Sequence, residues 1–303
     1  MVAANQLSSL GANRNGFSLL LSSRLYTTFI RPKFEYGLAI AKLKAKDLKK
    51  IEALQDRCLR LLVGGHPTSS TTVLRHITNL PSMRLRYDIL ITRFCRRFSF
   101  LDDEVCLLPL LVRDLPSSVL KDSLMQNRLF RSLPPTTLSD SQLRTFFRKD
   151  RQALFDVFCS SPARTQILVK ACRPKLGVDP ILYLPATRME RSRLIRWRMN
   201  WLPGRPKDCA CSSRCQTTRN HFRVCPKIPT SLWCQLPTTD PPNHPIDVAI
   251  TSLPKSSRSC PRYWPALLEI LWIIEGLCNP DGDYADEPPA GSIWTSMAQP
   301  SSS

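Results

Sequence analysis

Imidazole is scarce in this chain: 303 residues hold only His66, His76, His221 and His244. General acid–base chemistry near neutral pH draws first on that group. His66 sits in Gly64-Gly65-His66-Pro67-Thr68, a helix-terminating turn. His76 follows Arg75 in a polar helical stretch and reads as a surface or partly buried side chain. The G-x-S-x-G elbow, the P-loop and the H-E-x-x-H pair are all missing. That removes the common signatures of serine hydrolases, nucleotide-phosphate binding and zinc proteases. Two acidic strings remain, Asp102-Asp103-Glu104 and Tyr284-Ala285-Asp286-Glu287. Two-metal chemistry needs carboxylates gripped on a rigid scaffold. The first string is flanked by helical sequence and the second by proline and glycine, so both read as solvated acidic turns.

Strand signals, repeats and membrane signals are equally thin. Only 181–184 and 246–250 resemble strands, and no period of 20–50 residues stands out. Residues 1–16 are polar and show no secretory leader. The most apolar stretch, 263–277, carries Glu269 and Glu275 and falls short of the about 20 apolar residues a spanning helix needs. It reads as a buried or partly buried helix. These absences predict a mainly α protein, intracellular and without a membrane partner or small-molecule substrate.

Positive charge is abundant. Lys and Arg number 43 against 24 Asp and Glu, a net charge of +19. Such a balance points to a polyanion, RNA or DNA. The hydrophobic fraction of 43% suffices for a core. Twelve cysteines occur, yet Cys58, Cys95, Cys106, Cys159 and Cys172 sit singly in apolar helical patterns, as buried free thiols do. A reducing compartment follows more naturally than a disulfide scaffold.

Helical periodicity organises the rest. Leu21, Leu25, Phe29 and Ile30 share a face until Pro32, expected to break or kink the helix. Leu48, Ile51, Leu54, Cys58, Leu61 and Leu62 make the next face, with Gly64-Gly65 as its stop. Ser82 opens a helix with Leu85, Ile89, Leu90, Phe94 and Phe98 inward and arginines outward. Another is expected over 139–158. Thr187 and Glu190 form a capping-box pattern ahead of an Arg-rich helix. Four segments are expected: a bundle-like helical region (1–105), a helical connection (106–186), the Arg-rich helix with a small Cys/His knuckle (187–226), and a Pro-rich irregular segment with one helix and an unstructured tail (227–303).

Candidate site residues cluster in the third segment. Cys209, Cys211, Cys215, His221 and Cys225 offer four thiols and one imidazole within seventeen residues. Zinc takes four such ligands in a tetrahedron. His221-x3-Cys225 fits one helical turn, while three upstream thiols compete for two places. A closed site of this kind is structural and implies no hydrolysis. Phosphate contacts are expected from Lys42, Lys44, Lys46, Lys49 and Lys50, from Arg93, Arg96 and Arg97, and from Arg188, Arg191, Arg193, Arg196 and Arg198. Trp197 and Trp201 are candidates for stacking on unpaired bases. The other reading of these faces is solvated helix surface and core tryptophan.

Several segments in order carry a resemblance. They are Gly11-Ala12-Asn13, Arg31-Pro32-Lys33-Phe34-Glu35-Tyr36-Gly37, Leu54-Gln55-Asp56-Arg57-Cys58-Leu59-Arg60, Leu80-Pro81-Ser82, and Trp201-Leu202-Pro203-Gly204 before Thr218-Arg219-Asn220-His221. Together they resemble the region after the polymerase palm in non-LTR (LINE-like) retrotransposon reverse transcriptases, over about 11–101 and 188–226. The resemblance implies thumb and connection helices that hold template and primer. It also implies a CCHC-type knuckle that helps bind RNA or target DNA. In that family the palm and its catalytic carboxylates precede the matching segments, so this chain is expected to bind nucleic acid without polymerising. The His–Cys spacing is one residue shorter than the family's usual one. A helical protein-interaction module, or a decayed element with no selected function, is the alternative.

Overall fold

The computed structural model describes residues 2–13, 16–41, 43–98, 126–134, 138–161, 168, 171–238, 243–282, 284 and 286–298. Its described residues are mainly helical, with one two-stranded hairpin. Lys42, the Asp102-Asp103-Glu104 string and the expected boundary near 105 lie outside the described residues. The chain divides into two compact units: Met1–Thr71 with Thr78–Ser161, and Thr72–Ile77 with Pro162–Ser303.

In the first unit, α1 (Val2–Ser9) and α2 (Leu19–Leu25) lead to a π-helical turn at Tyr26–Ile30 and then α3 (Arg31–Glu35). Where a break or kink at Pro32 is expected, the helix widens just before it and continues. The widened turn lets the Arg31 amide reach back to the Tyr26 carbonyl, and Pro32 enters a fresh first turn that needs no proline N–H. The long helix α4 (Ala45–Val63) buries Leu48, Cys58, Leu59 and Leu62 and ends at Gly64, whose φ of 62° is the left-handed cap glycine adopts freely. The short α5 (Thr71–Ile77) belongs from Thr72 onward to the second unit. In α6 (Met83–Phe98) the first turn is held by Ser82 Oγ, which accepts from the Leu85 amide, and by Glu52 of α4, which accepts from the Met83 amide at 2.6 Å.

Two faces of α6 are buried. Met83, Tyr87, Ile91 and Cys95 pack with Leu38 and Leu48, while Leu85 and Ile89 pack with Leu129 of α7 (Arg128–Arg131) and Leu143 and Phe147 of α8 (Asp140–Ser160). Its arginines are therefore partly engaged. Arg86 grips Glu35, Arg96 reaches Asp140 at 3.2 Å, and Arg93 lies 5.5 Å over the Phe147 ring. A capping box of Ser139 and Gln142 opens α8.

In the second unit, residues 181–184, read as a strand, instead hold a 3-10 turn at Pro180–Leu182. The capping box of Thr187 and Glu190 opens α9 (Arg188–Arg198) as expected. The hairpin β1 (Asp208–Cys209) and β2 (Ser212–Gln216) follows, then the single turns α10 (Arg219–Phe222) and α11 (Thr230–Trp233). Residues 246–250, the other strand candidate, belong to α12 (Pro245–Thr251), in which Ile246, Val248, Ala249 and Ile250 are buried. The prolines explain the misreading: Pro245 occupies the first helical position, where its fixed φ favours a helix start. The apolar stretch forms α13 (Trp264–Cys278), buried along most of its length.

The chain end also differs from expectation. Glu287 binds Arg193, and α14 (Ser292–Ala298) places Trp294 edge-on to Trp264 with ring centroids 5.0 Å apart. Both rings are fully buried. Gly291 makes the approach possible: its φ is +72°, and a Cβ there would lie 2.9 Å from the Trp264 ring. Trp294→Ala should destabilise this unit by about 3–5 kcal/mol in urea unfolding, whereas an unstructured tail would register no change.

Candidate metal centre and its basic surround

Local sequence builds the centre in steps. Helix α9 closes at Asn200, whose φ of 59° turns the chain, and the Trp201 amide donates back to the Arg196 carbonyl at 2.8 Å. Lys207 and Thr217 then clamp the hairpin mouth: the Thr217 amide donates to the Lys207 carbonyl at 2.7 Å, and the Lys207 amide to Thr217 Oγ1 at 3.0 Å. Asp208 pairs with Gln216 and Cys209 with Ser212, with a register shift between them. Cys209 ends β1 and Cys211 stands in the tight turn. Thr218 caps α10 by accepting from the His221 amide at 3.2 Å. That turn anchors on fully buried Phe222 and brings His221 and Cys225 to the same side.

Cys209, Cys211, His221 and Cys225 converge, with all four donor atoms within 4.8 Å of one another. Cys209 Sγ lies 3.9 Å from Cys225 Sγ, and Cys211 Sγ 3.3 Å from His221 Nε2. A tetrahedron with metal–sulfur bonds of about 2.3 Å and metal–nitrogen bonds of about 2.0 Å has sulfur–sulfur edges near 3.8 Å and sulfur–nitrogen edges near 3.5 Å. Those two separations are close to such edges, and the four residues could hold a metal ion. Cys215 is outside it. The register shift leaves that residue on β2 without a paired residue on β1, so the competition for two upstream places resolves to Cys209 and Cys211.

Cys209 and Cys225 are buried; Cys211 and His221 are half-buried. Burial, with Cys209 and Cys225 crowding alongside, pushes the Cys211 thiol up to about 12, and burial raises Cys225 as well. Three clustered thiolates would repel one another and call for a compensating cation. A divalent ion does this while forming bonds to each sulfur.

Most arginines of α9 are engaged within the fold rather than facing outward. Arg193 is 1% exposed and donates to both Glu275 and Glu287. Arg196 also binds Glu275. Arg198 is buried on the Ala171 carbonyl and lies 3.9 Å from Asp179. Arg191 donates to the Ile181 and Leu184 carbonyls, both at 2.7 Å. Trp197 is fully buried and donates through Nε1 to Asp247 at 2.9 Å, which removes it from base stacking. Trp201 is half-buried, and Arg188 stays exposed. In the first unit Lys44, Lys46, Lys49, Lys50 and Arg97 are exposed.

Sequence reading missed a second cluster beneath the centre. Arg219 stacks 4.3 Å from the Trp197 ring centroid, donates to Asp247 at 3.1 Å and also to the Trp197 carbonyl. His244 Nε2 bonds the Arg219 carbonyl at 3.0 Å, while its Nδ1 accepts from the Ile246 amide and caps α12. The visible signal was His244-Pro245-Ile246-Asp247, an N-cap followed by proline and an acid in the first turn.

Basic side chains do reach solvent on the knuckle itself: Arg205, Lys207, Arg214, Arg223 and Lys227 are exposed. Asp208 is the single acid between positions 205 and 227. None of the described helices is long and apolar enough to cross a membrane. Compared with known family models, curated proteins and solved structures, the chain matches none.

Proposed function

We propose that the chain is a non-catalytic nucleic-acid-binding protein whose knuckle is closed by one zinc ion and offers its basic surface to phosphates. The observation that carries this reading is the convergence of Cys209, Cys211, His221 and Cys225, with all donor atoms within 4.8 Å, amid five exposed cations and one acid. Three thiols and an imidazole suit zinc better than the hard oxygen-seeking cations. Four protein ligands leave no open position, so the ion would staple the fold rather than activate water. The net charge of +19 supports a polyanionic partner. The resemblance to the C-terminal region of non-LTR reverse transcriptases agrees with RNA or target DNA as that partner, and catalysis would then belong to sequence outside this chain.

The burial of α9 moves the contact surface. Arg205, Lys207, Arg223 and Lys227 take the place of the helix arginines, with the exposed Lys44, Lys46, Lys49 and Lys50 as a further basic stretch. Fluorescence anisotropy with a labelled single-stranded RNA 20-mer tests this. Replacing Arg205, Lys207, Arg223 and Lys227 together by Gln should weaken binding and flatten the slope of log K against log salt by about 3, since each phosphate contact on a single strand contributes about 0.7. An unchanged slope removes the knuckle from the interface. Absence of binding even at low salt rejects the nucleic-acid reading.

A further inference from the structure

A cavity of 140 Å³ opens between α13 and the segment that follows it. Leu268 and Pro289 give it apolar walls, Trp272 and Tyr284 line it with aromatic rings, and Glu269 and Glu287 supply carboxylates. Trp272 and Tyr284 meet edge to face with centroids 6.2 Å apart. Glu269 and Trp272 stand three residues apart on α13, so they share one side of the helix.

Two independent observations mark this place as unfilled. Trp272 is 36% exposed on a helix whose other residues are buried or half-buried. A large exposed aromatic on an apolar helix is the informative exception to burial. Among the described residues, Glu269 has no hydrogen bond or ion pair, although it is half-buried. The other charges are committed: Glu287 holds Arg193, and Glu190 takes the Thr187 and Gly291 amides.

The lining selects its ligand. Carboxylates exclude a phosphate. The volume is below the about 300–1,000 Å³ of ordinary small-molecule pockets. An aromatic face beside a free carboxylate favours a cation, and a planar guanidinium can stack on the ring while pairing with the carboxylate. The apolar walls suit the methylene stem of a long side chain. We propose that this cavity binds an arginine side chain from a partner polypeptide, with Trp272 stacking on the guanidinium and Glu269 pairing with it. The site is separate from the knuckle and does not depend on the nucleic-acid reading. The net charge of +19 disfavours general attraction of a cationic ligand, and the variants below tie binding to this cavity.

The test is a titration of the full chain with Nα-acetyl-arginine-methylamide, read on the Trp272 indole N–H resonance and assigned with Trp272→Phe. A saturating shift in the millimolar range is expected. The citrulline analogue, isosteric and neutral, should give none, and the lysine analogue should bind more weakly. Glu269→Gln, checked for folding by circular dichroism, should weaken the arginine analogue about tenfold or more. No shift, an equal shift with citrulline, or unchanged affinity in Glu269→Gln overturns the proposal. Equal affinity for the lysine analogue overturns the assignment to arginine.

Discussion

Cys225→Ser is expected to abolish metal binding and to lower the stability of the second unit by about 4 kcal/mol or more, whereas Cys215→Ser should leave both nearly unchanged. A ligand that binds only the folded state stabilises it by about 4 kcal/mol when present at about 1,000 times its dissociation constant, and structural zinc sites exceed that margin readily. The quartet includes Cys225 and excludes Cys215. Beyond the metal, the element is held chiefly by the Lys207–Thr217 clamp and by Arg219 on Trp197 and Asp247. Strand β1 has two residues, β2 five, and α10 is a single turn. An isolated hairpin of that size is marginal in water. Phe222 and Ile228 are the buried apolar anchors near the ligands. Elemental analysis should find one zinc per chain in the wild type and in Cys215→Ser, and none in Cys225→Ser. Thermal unfolding with and without a strong chelator gives the stability. A wild type that carries no zinc and ignores the chelator refutes the staple. Loss of zinc in Cys215→Ser but not in Cys225→Ser would refute the hairpin geometry.

What could be read from the sequence follows the range of the interaction. Capping boxes at Thr187–Glu190 and the stop at Gly64 depend on neighbours three or four residues away, and both are where the pattern placed them. The apolar periodicity of α4 and of the 263–277 stretch likewise survived, because a buried face is written in one helix. The candidate ligands were legible because zinc chemistry restricts residue type and spacing. The choice among Cys209, Cys211 and Cys215 was not, since it turns on a register shift in the hairpin. The pairing of Arg193 and Arg196 was not legible for the same reason on a larger scale. Their acidic partners Glu275 and Glu287 lie about 80 to 95 positions downstream, and no local pattern distinguishes a paired arginine from a solvated one. Proline density misled as well: it suggested an irregular segment, yet Pro245 stands at the first position of a helix, where proline starts one.

The buried arginines yield the second large effect. Glu275→Ala should destabilise the second unit by about 3–5 kcal/mol, because it strips Arg193 of one partner and leaves Arg196 unpaired. Arg193→Met should cost a similar amount by stranding Glu275 and Glu287 together, two carboxylates that the guanidinium now separates. Arg193, Arg196, Glu275 and Glu287 carry equal numbers of opposite charges, so the network is neutral as a whole. Combining Arg193→Met with Glu275→Ala should therefore cost clearly less than the sum of the single changes. Urea unfolding of the four species measures the coupling; strict additivity would mean that the contacts carry no mutual stabilisation. The same Arg193→Met protein separates structure from recognition. Kept at a temperature where it remains folded, it should bind RNA with an unchanged salt slope, since its guanidinium is 1% exposed and already held by carboxylates. A slope reduced by about 0.7 would instead count one phosphate contact to that arginine, and the burial of α9 would then have to be relieved when nucleic acid binds.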